Sequence, residues 1–511
     1  MIRDGMDLVI WLLCVAAVVM LASWFTWRSY RRWAEQGRGA PQYALPLGGP
    51  ETGLDQRIRP MTDAEPAKSG FLPLIRNRDA YAARVEALRL SGRSLDVMSY
   101  LWYTDLTGWL MIEELTRAAD RGVRVRLLLD DVNVQGFDRT FLALNQHPNI
   151  EVRLFNPLRT RGHVLRRMLE MSLGLARFNR RMHGKMWIAD GRLAIVGGRN
   201  IGDTYFGAVE SGIRNSHDID VGMIGPVVAE AEQTFDDFWN LGLSLPIVAL
   251  APKFRVSNRA FHRRIARHNR RIMTRDYLGH VPHGVLRRPF AFTDKAEFIA
   301  DPPDKVYGHR TRPWMIDRLP EIFGAAEHQI RIVSPYFVPG EEGLEYLRDL
   351  VASGVQVQTV TNALCSTDNV IVYGAYGRYR QPLLRAGVEV YEYGPSPRRD
   401  GRRDLLHTKL FLVDGRRAVI GSINSDLRSA YMNTELGVVI EEPSVVAALM
   451  REFDAIIAPQ AAFRAVLDGN RHAFLVHRAG LPARLNADPE AGPALRLRSW
   501  MLGRLPIQSW L

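Results

Sequence analysis

Apolar positions along the chain change period in a regular way. Residues 80–89 repeat apolar side chains at helical spacing, "SLDVMSYLWY" reads as a strand, "GWLMIEELTRAADRG" as a helix closing at a glycine, and "VRVRLLLDD" as a second strand. A strand, helix, strand order of this kind builds a parallel or mixed sheet. The same order returns in "HQIRIVSPYFVPGEEGLEYLRDLVASGVQVQTVTN", where "RIVSPYFV" stands in the place of "LDVMSYLW". The chain therefore carries a long internal repeat.

One apolar stretch fits neither half. Residues 8–27, "LVIWLLCVAAVVMLASWFTW", are free of charge, and a run of roughly 20 residues is what a helix needs to cross a hydrocarbon core of about 30 Å. They predict an N-terminal membrane anchor within residues 1–30. A cleaved signal peptide is the other reading, and the length of the run, its tryptophans and the lack of a clean small-x-small site count against it. Arg28, Arg31 and Arg32 follow the run, whereas Arg3 before it is offset by Asp4 and Asp7, which favours a cytoplasmic body on a bacterial inner membrane. Glycine, proline and mixed polar residues predict a flexible tether over 31–69. The first globular unit is then expected over 70–245, a basic linker over 246–300, the second unit over 301–470, and a basic amphipathic tail over 471–511.

Length and charge narrow the partners. A chain of 511 residues can bury two ordinary cores. Its 67 lysines and arginines exceed 55 acids, for a net charge of +12, which favours phospholipid surfaces, nucleic acid or phosphorylated small molecules. With two cysteines, Cys14 and Cys365, no disulfide framework is expected.

The candidate chemistry sits in "HGKMWIADGRLAIVGGRN", residues 183–200, and in "HTKLFLVDGRRAVIGSIN", residues 407–424. His183, Lys185, Asp190, Gly197, Gly198 and Asn200 match His407, Lys409, Asp414, Gly421, Ser422 and Asn424 without a gap. Downstream, "HDIDVGMIGPVV" and "NTELGVVIEEPSVV" set Asp218 opposite Glu435. Alternate side chains of an extended segment share a face, so each His and its Lys point the same way. Two such strands related by a pseudo-twofold axis make one pocket with two imidazoles, two ammonium groups and two amides. Imidazoles can divide the roles of nucleophile and proton carrier, while Lys and Asn suit the oxygens of a phosphoryl group. A carboxylate on one ring nitrogen orients the other. A metal site is disfavoured, because each His has a cation beside it.

The doubled His-x-Lys-x4-Asp-x6-Gly-Gly/Ser-x-Asn motif resembles that of the phospholipase D superfamily. The resemblance implies two α/β/α sandwich domains with mixed sheets flanked by helices, related by pseudo-twofold symmetry, and no cofactor. It also implies that one histidine becomes a covalent phosphohistidine while the other protonates the leaving alcohol and activates the incoming one. Carried over, His183 is the nucleophile and His407 the acid and base. Lys185, Lys409, Asn200 and Asn424, with Gly198 and Ser422, grip the phosphate, and Asp218 and Glu435 orient the imidazoles. Asp190 and Asp414 belong to the catalytic motif but are expected to tie down the loop beyond the strand. Which carboxylate serves which imidazole stays open.

From about residue 70 onward, "HPNIEVRLFNP", "FNRRMHGKMWIADGRLAIVGGRNIGDTYFG", "SPYFVPGEEG" and "NSDLRSAYMNTELGVVI" resemble the bacterial cardiolipin synthases, most of all the C type. That resemblance implies transfer of a phosphatidyl group from phosphatidylethanolamine or phosphatidylglycerol onto phosphatidylglycerol, with cardiolipin as product. A lipid surface also suits residues 159–181, which mix apolar side chains with seven arginines and one acid. The acid-free residues 253–275 read equally as interfacial or as a solvated linker helix, and the tail "ALRLRSWMLGRLPIQSWL" as interfacial or docked. A hydrolase or membrane-anchored nuclease of the same superfamily and a lipid-binding scaffold are the other readings. No nucleic acid partner is expected, since the basic stretches lack regular aromatic interleaving. The oligomeric state is open, because one chain holds both motifs.

Overall fold

The structure, a computed structural model, describes residues 20–22, 24–208, 214–250, 254–398, 401–478 and 481–505. Two mixed sheets flanked by helices carry the two halves. The first runs, in spatial order, Ala291–Thr293, Ser69–Leu74, Asp220–Ile224, Leu193–Gly197, Met186–Ala189, Ser94–Ser99, Arg124–Asp130, Ile150–Phe155 and Ser244–Pro246. The second runs Ala296–Ala300, Leu436–Ile440, Arg417–Gly421, Leu410–Val413, Gln329–Val333, Gln356–Asn362, Glu389–Tyr393, Ala462–Asp468, Arg471–Arg478 and Leu481–Leu485. The repeated units are the parallel pairs Ser94–Ser99 with Arg124–Asp130 and Gln329–Val333 with Gln356–Asn362. Helices Leu106–Asp120 and Gly340–Ala352 provide the crossovers. Leu106–Asp120 starts where the Asp105 side chain accepts from the Gly108 N–H, and it buries Trp109, Ile112 and Leu115.

Alternation along the central strands decides how the halves meet. In the second sheet Leu410, Leu412, Ala418, Ile420, Leu436, Val438 and Ile440 join the core of the first half, whereas Phe411, Val413, Val419 and Val439 face a separate core beneath the second half's helices. A period of two thus gives each strand one face for its own helices and one for the other half. The halves share a continuous core, and this fixes the motif segments against each other.

Several expected boundaries move. The segment expected as a flexible tether lies against the first half: Arg153 Nη2 donates to Ala40 O, Arg126 Nη1 to Gln42 O, and the Ala44 N–H to Asp236. It then forms the helix Gly53–Ala64, closed at its start by a capping box between Thr52 and Asp55. Within the expected linker, Ala291–Thr293 closes the edge of the first sheet and Ala296–Ala300 opens the second. Helix Asn258–Asn269 docks through buried Phe261 and Ile265, with His268 stacked 5.2 Å from Trp109. The expected tail contributes Arg471–Arg478 and Leu481–Leu485 to the second sheet before helix Pro493–Leu502 packs on helix Val370–Arg385. Of the expected anchor, residues 8–19 and 23 lie outside the described residues; among the described residues no helix is long and apolar enough to cross a membrane.

Candidate active site

Each motif folds as a hairpin. Met186–Ala189 and Leu193–Gly197 are joined by a turn in which the Arg192 N–H donates to Ala189 O, with Asp190 at φ 53° and Gly191 at φ 65°. Asp414 at 51° and Gly415 at 63° repeat it, the Arg416 N–H donating to Val413 O. Asp-Gly is the pair such a hairpin turn demands, since both central residues need positive φ. The Asp190 carboxylate accepts from the backbone N–H groups of Gly92, Arg93 and Ser94, and Asp414 accepts from those of Glu327, His328 and Gln329. Both carboxylates therefore cap the start of the neighbouring strand.

At the other end of each hairpin the chain crosses between halves. The His183 N–H donates to Thr434 O at 2.9 Å, and the Thr434 N–H returns a bond to Arg181 O at 2.8 Å. Leu405–Leu406 likewise pairs in parallel with Ser216–His217, and the His407 N–H donates to His217 O at 2.8 Å. Glu435 and Asp218 are the residues that follow these exchanges. Their carboxylates land on the imidazole of the opposite motif, Glu435 Oε2 at 2.9 Å from His183 Nδ1 and Asp218 Oδ2 at 2.6 Å from His407 Nδ1. His183 Nδ1 also lies 3.1 Å from the Ser422 carbonyl oxygen. A carbonyl can only accept, so Nδ1 carries the proton and Nε2 keeps its lone pair.

Charge is concentrated in this buried space. Lys185 and Lys409 each donate from Nζ to the backbone carbonyl of the histidine two residues earlier, and Lys185 Nζ stands 4.9 Å from the centroid of the Tyr100 ring. Burial pushes the His183 pKa well below the usual imidazole range, and Lys185 and Lys409 act in the same direction. Burial also lowers both lysines, against the pull of Glu435 and Asp218. The carboxylates differ. Burial holds Glu435 above the usual range despite Lys185 and bonds from Ser422 and Ser429, whereas at Asp218 the same burial is outweighed by His407 and Lys409, and its pKa falls. His407 is lowered by burial and by Lys409, with Asp218 opposing. The carboxylate beside His407 is thus the firmer anion of the two.

The residues expected to grip phosphate divide in two groups. Asn200 and Asn424 are buried, and among the described residues the amide oxygen of each has no hydrogen-bond partner; Asn200 Nδ2 donates to Tyr205 OH at 3.0 Å. Gly198 and Ser422 instead serve the carboxylates. A Cβ on Gly198 would stand 2.3 Å from Asp218 Oδ1, so only glycine lets that carboxylate approach. The Ser422 hydroxyl donates to Glu435 Oε2 at 2.5 Å, which takes it away from a phosphate. Sequence reasoning misses Ser429, which donates to Glu435 Oε1 at 2.7 Å, and Asp301, which accepts the Glu435 N–H at 2.8 Å while paired with Lys305. It also misses the rings of Tyr100 and Tyr205, edge-on to His183 at 4.7 Å and His407 at 5.2 Å. The aromatic position after the first strand of the repeat is the signal that points to Tyr100; Ser429 and Asp301 leave none.

Known proteins align with this arrangement. The family model described as cardiolipin synthase, PLD-like domain, matches residues 85–239 and 319–457, once in each half. Cardiolipin synthase C of Escherichia coli is 37% identical over 420 residues, spanning 78% of this chain and 87% of that protein. An uncharacterized protein of Helicobacter pylori is 34% identical over 384 residues, 72% of this chain and 75% of its own length. In fold, the chain is similar to the crystal structure of phosphatidylserine synthase from Haemophilus influenzae, with a TM-score of 0.59, 13% identity, and coverage of 94% of this chain and 100% of the other. The two-part match to the family model and the identity across most of the chain place this protein in one family: it belongs to the cardiolipin synthases with PLD-like domains.

Proposed function

We propose that the chain is a phosphatidyltransferase that makes cardiolipin, moving a phosphatidyl group from phosphatidylethanolamine or phosphatidylglycerol onto a free glycerol hydroxyl of phosphatidylglycerol. The observation that carries this reading is the crossed pair of imidazole–carboxylate contacts around one buried space that also holds Lys185 and Lys409. His183 Nε2 attacks phosphorus, a P–N bond forms, and the bond from phosphorus to the leaving oxygen breaks as His407 donates its proton to that oxygen. His407 then takes the proton of the acceptor hydroxyl, whose oxygen attacks phosphorus and releases His183. Lys185, Lys409 and the amides of Asn200 and Asn424 meet the phosphoryl oxygens as their charge redistributes. Asp190 and Asp414 act on the fold beyond the pocket.

The reading includes a membrane. Residues 8–27 anchor the chain, and helix Val164–Leu173 lies at the interface. Its Leu165 is 82% exposed and Met168 and Leu169 are exposed beside it, with Arg166 and Arg167 next to them for lipid phosphates. Purified protein incubated in mixed phosphatidylglycerol and phosphatidylethanolamine vesicles should yield cardiolipin with free ethanolamine or glycerol. Phosphatidic acid alone would identify a hydrolase, and no lipid turnover would overturn the reading.

A further inference from the structure

The two halves differ where their repeated helices approach the motif asparagine. In the second half a cavity of about 1270 Å³ opens between helices Met315–Gly324 and Gly340–Ala352 and runs to Asn424. That volume exceeds the roughly 300–1,000 Å³ of ordinary small-molecule pockets. Its lining is mixed, and its apolar part includes Ile316, Leu319, Phe323, Phe337, Leu347 and Ala430. The charged groups Arg310, Asp317, Glu341, Glu342, Arg378 and Asp426 also line it.

The first half fills the corresponding place. Its helices Asn77–Leu90 and Leu106–Asp120 pack on each other. Counted along the sequence from the strand starts capped by Asp190 and Asp414, Tyr81 corresponds to Ile316, and counted from the motif asparagines, Phe206 corresponds to Ala430. Tyr81 and Phe206 meet edge to face at 5.5 Å, and Tyr277 of the basic linker stands 5.3 Å from Tyr81 and donates from its hydroxyl to Phe206 O. Three aromatic rings thus close on one side what an isoleucine and an alanine leave open on the other.

We infer that the second-half cavity is the subsite for an acyl tail of the phospholipid whose phosphate lies between Lys185 and Lys409. A phospholipid fits this lining: the cavity reaches Asn424 of the second motif, so a lipid whose phosphate meets that motif can lay a tail along Ile316, Leu319, Phe323 and Leu347, apolar surface that a sugar or nucleotide would leave unburied. The assignment rests on the phosphatidyl-transfer reading. Its one-sidedness means that the two lipids are not held alike: one is seated by its tail, while the other need only present a hydroxyl.

The test installs the first half's rings in the second. Ile316→Tyr with Ala430→Phe, and separately Leu347→Trp on the facing helix, are compared with wild type on dioleoyl and dihexanoyl phosphatidylglycerol. Burial of even a few methylenes is worth about tenfold in kcat/KM, so the expected result is a loss of at least that size on the dioleoyl lipid with dihexanoyl turnover retained. Equal losses on both lipids, or none in either well-folded variant, would overturn the subsite. Wild-type protein that turns over neither lipid would overturn the phosphatidyl-transfer reading itself, and the subsite with it.

Discussion

Glu435 Oε2 stands 2.9 Å from Nδ1 of His183, a residue 252 positions earlier and in the other half of the molecule. The reciprocal contact, Asp218 to His407 at 2.6 Å, spans 189 positions in the opposite sense. Each imidazole is therefore oriented by the half to which it does not belong, and the two roles in the proposed reaction, nucleophile and proton carrier, draw on different carboxylates.

That division separates the histidines experimentally. A phosphodiester lipid with a p-nitrophenol leaving group needs no proton donor, so His407→Ala and Asp218→Asn should form the covalent adduct on it while losing about a hundredfold to ten-thousandfold on natural lipids. His183→Ala should form no adduct, and Glu435→Gln should form it slowly with either substrate. Mass spectrometry of the quenched protein reads the adduct. An adduct on His407 in the His183→Ala protein would reverse the assignment.

The pH profile follows from the same pair. Burial, aided by Lys185 and Lys409, keeps His183 well below the usual imidazole range, so its lone pair survives as pH falls, and the acid limb of kcat/KM should lie below about 6.5. In the proposed reaction the alkaline limb is that of His407, the proton donor, whose lowering by burial Asp218 opposes. Asp218→Asn removes that opposition, and the alkaline limb should move to lower pH while the acid limb stays. A shift to higher pH would contradict this assignment.

The two residues before the asparagine-bearing loop should respond unequally. Gly198→Ala places a Cβ 2.3 Å from Asp218 Oδ1 and must displace the carboxylate from His407. We expect kcat to fall by roughly a thousandfold or more, toward the loss seen on removing an imidazole-orienting carboxylate. Ser422→Ala deletes one hydrogen bond to Glu435 and should cost about tenfold, near the 1.5 kcal/mol of one such bond. Thermal melting of both variants close to wild type would locate the losses in the site.

Asp190 and Asp414 should report on stability. Each caps a strand through three backbone N–H groups and sits at positive φ. Alanine loses the acceptor and adds about 1–2 kcal/mol of left-handed strain, whereas asparagine tolerates that backbone and keeps one acceptor oxygen. Urea unfolding should therefore rank wild type above Asp190→Asn above Asp190→Ala, with the last down by about 3 kcal/mol. An Asp190→Asn protein that is fully stable yet inactive would point to a direct chemical role.

The legible features are those carried by local pattern. His183 with Lys185 and His407 with Lys409 are readable because two-residue spacing in an extended segment puts both on one face, and Asp-Gly marks each hairpin turn. The crossing of carboxylates is not readable, since it depends on Thr434 and His217 bonding to the opposite half. The tether misleads for a related reason: its hold is a set of carbonyls accepting from Arg126 and Arg153, which leaves no apolar period in the sequence. Arg126 and Arg153 appear as ordinary basic residues of strands until their burial is seen.

Because the exchange of strand ends delivers each carboxylate to the opposite motif, severing the chain between the halves leaves each fragment with an imidazole that lacks its own acid. Two separately expressed fragments could regain function only by reassembling in trans, and a single-motif ancestor could have worked only as a symmetric pair.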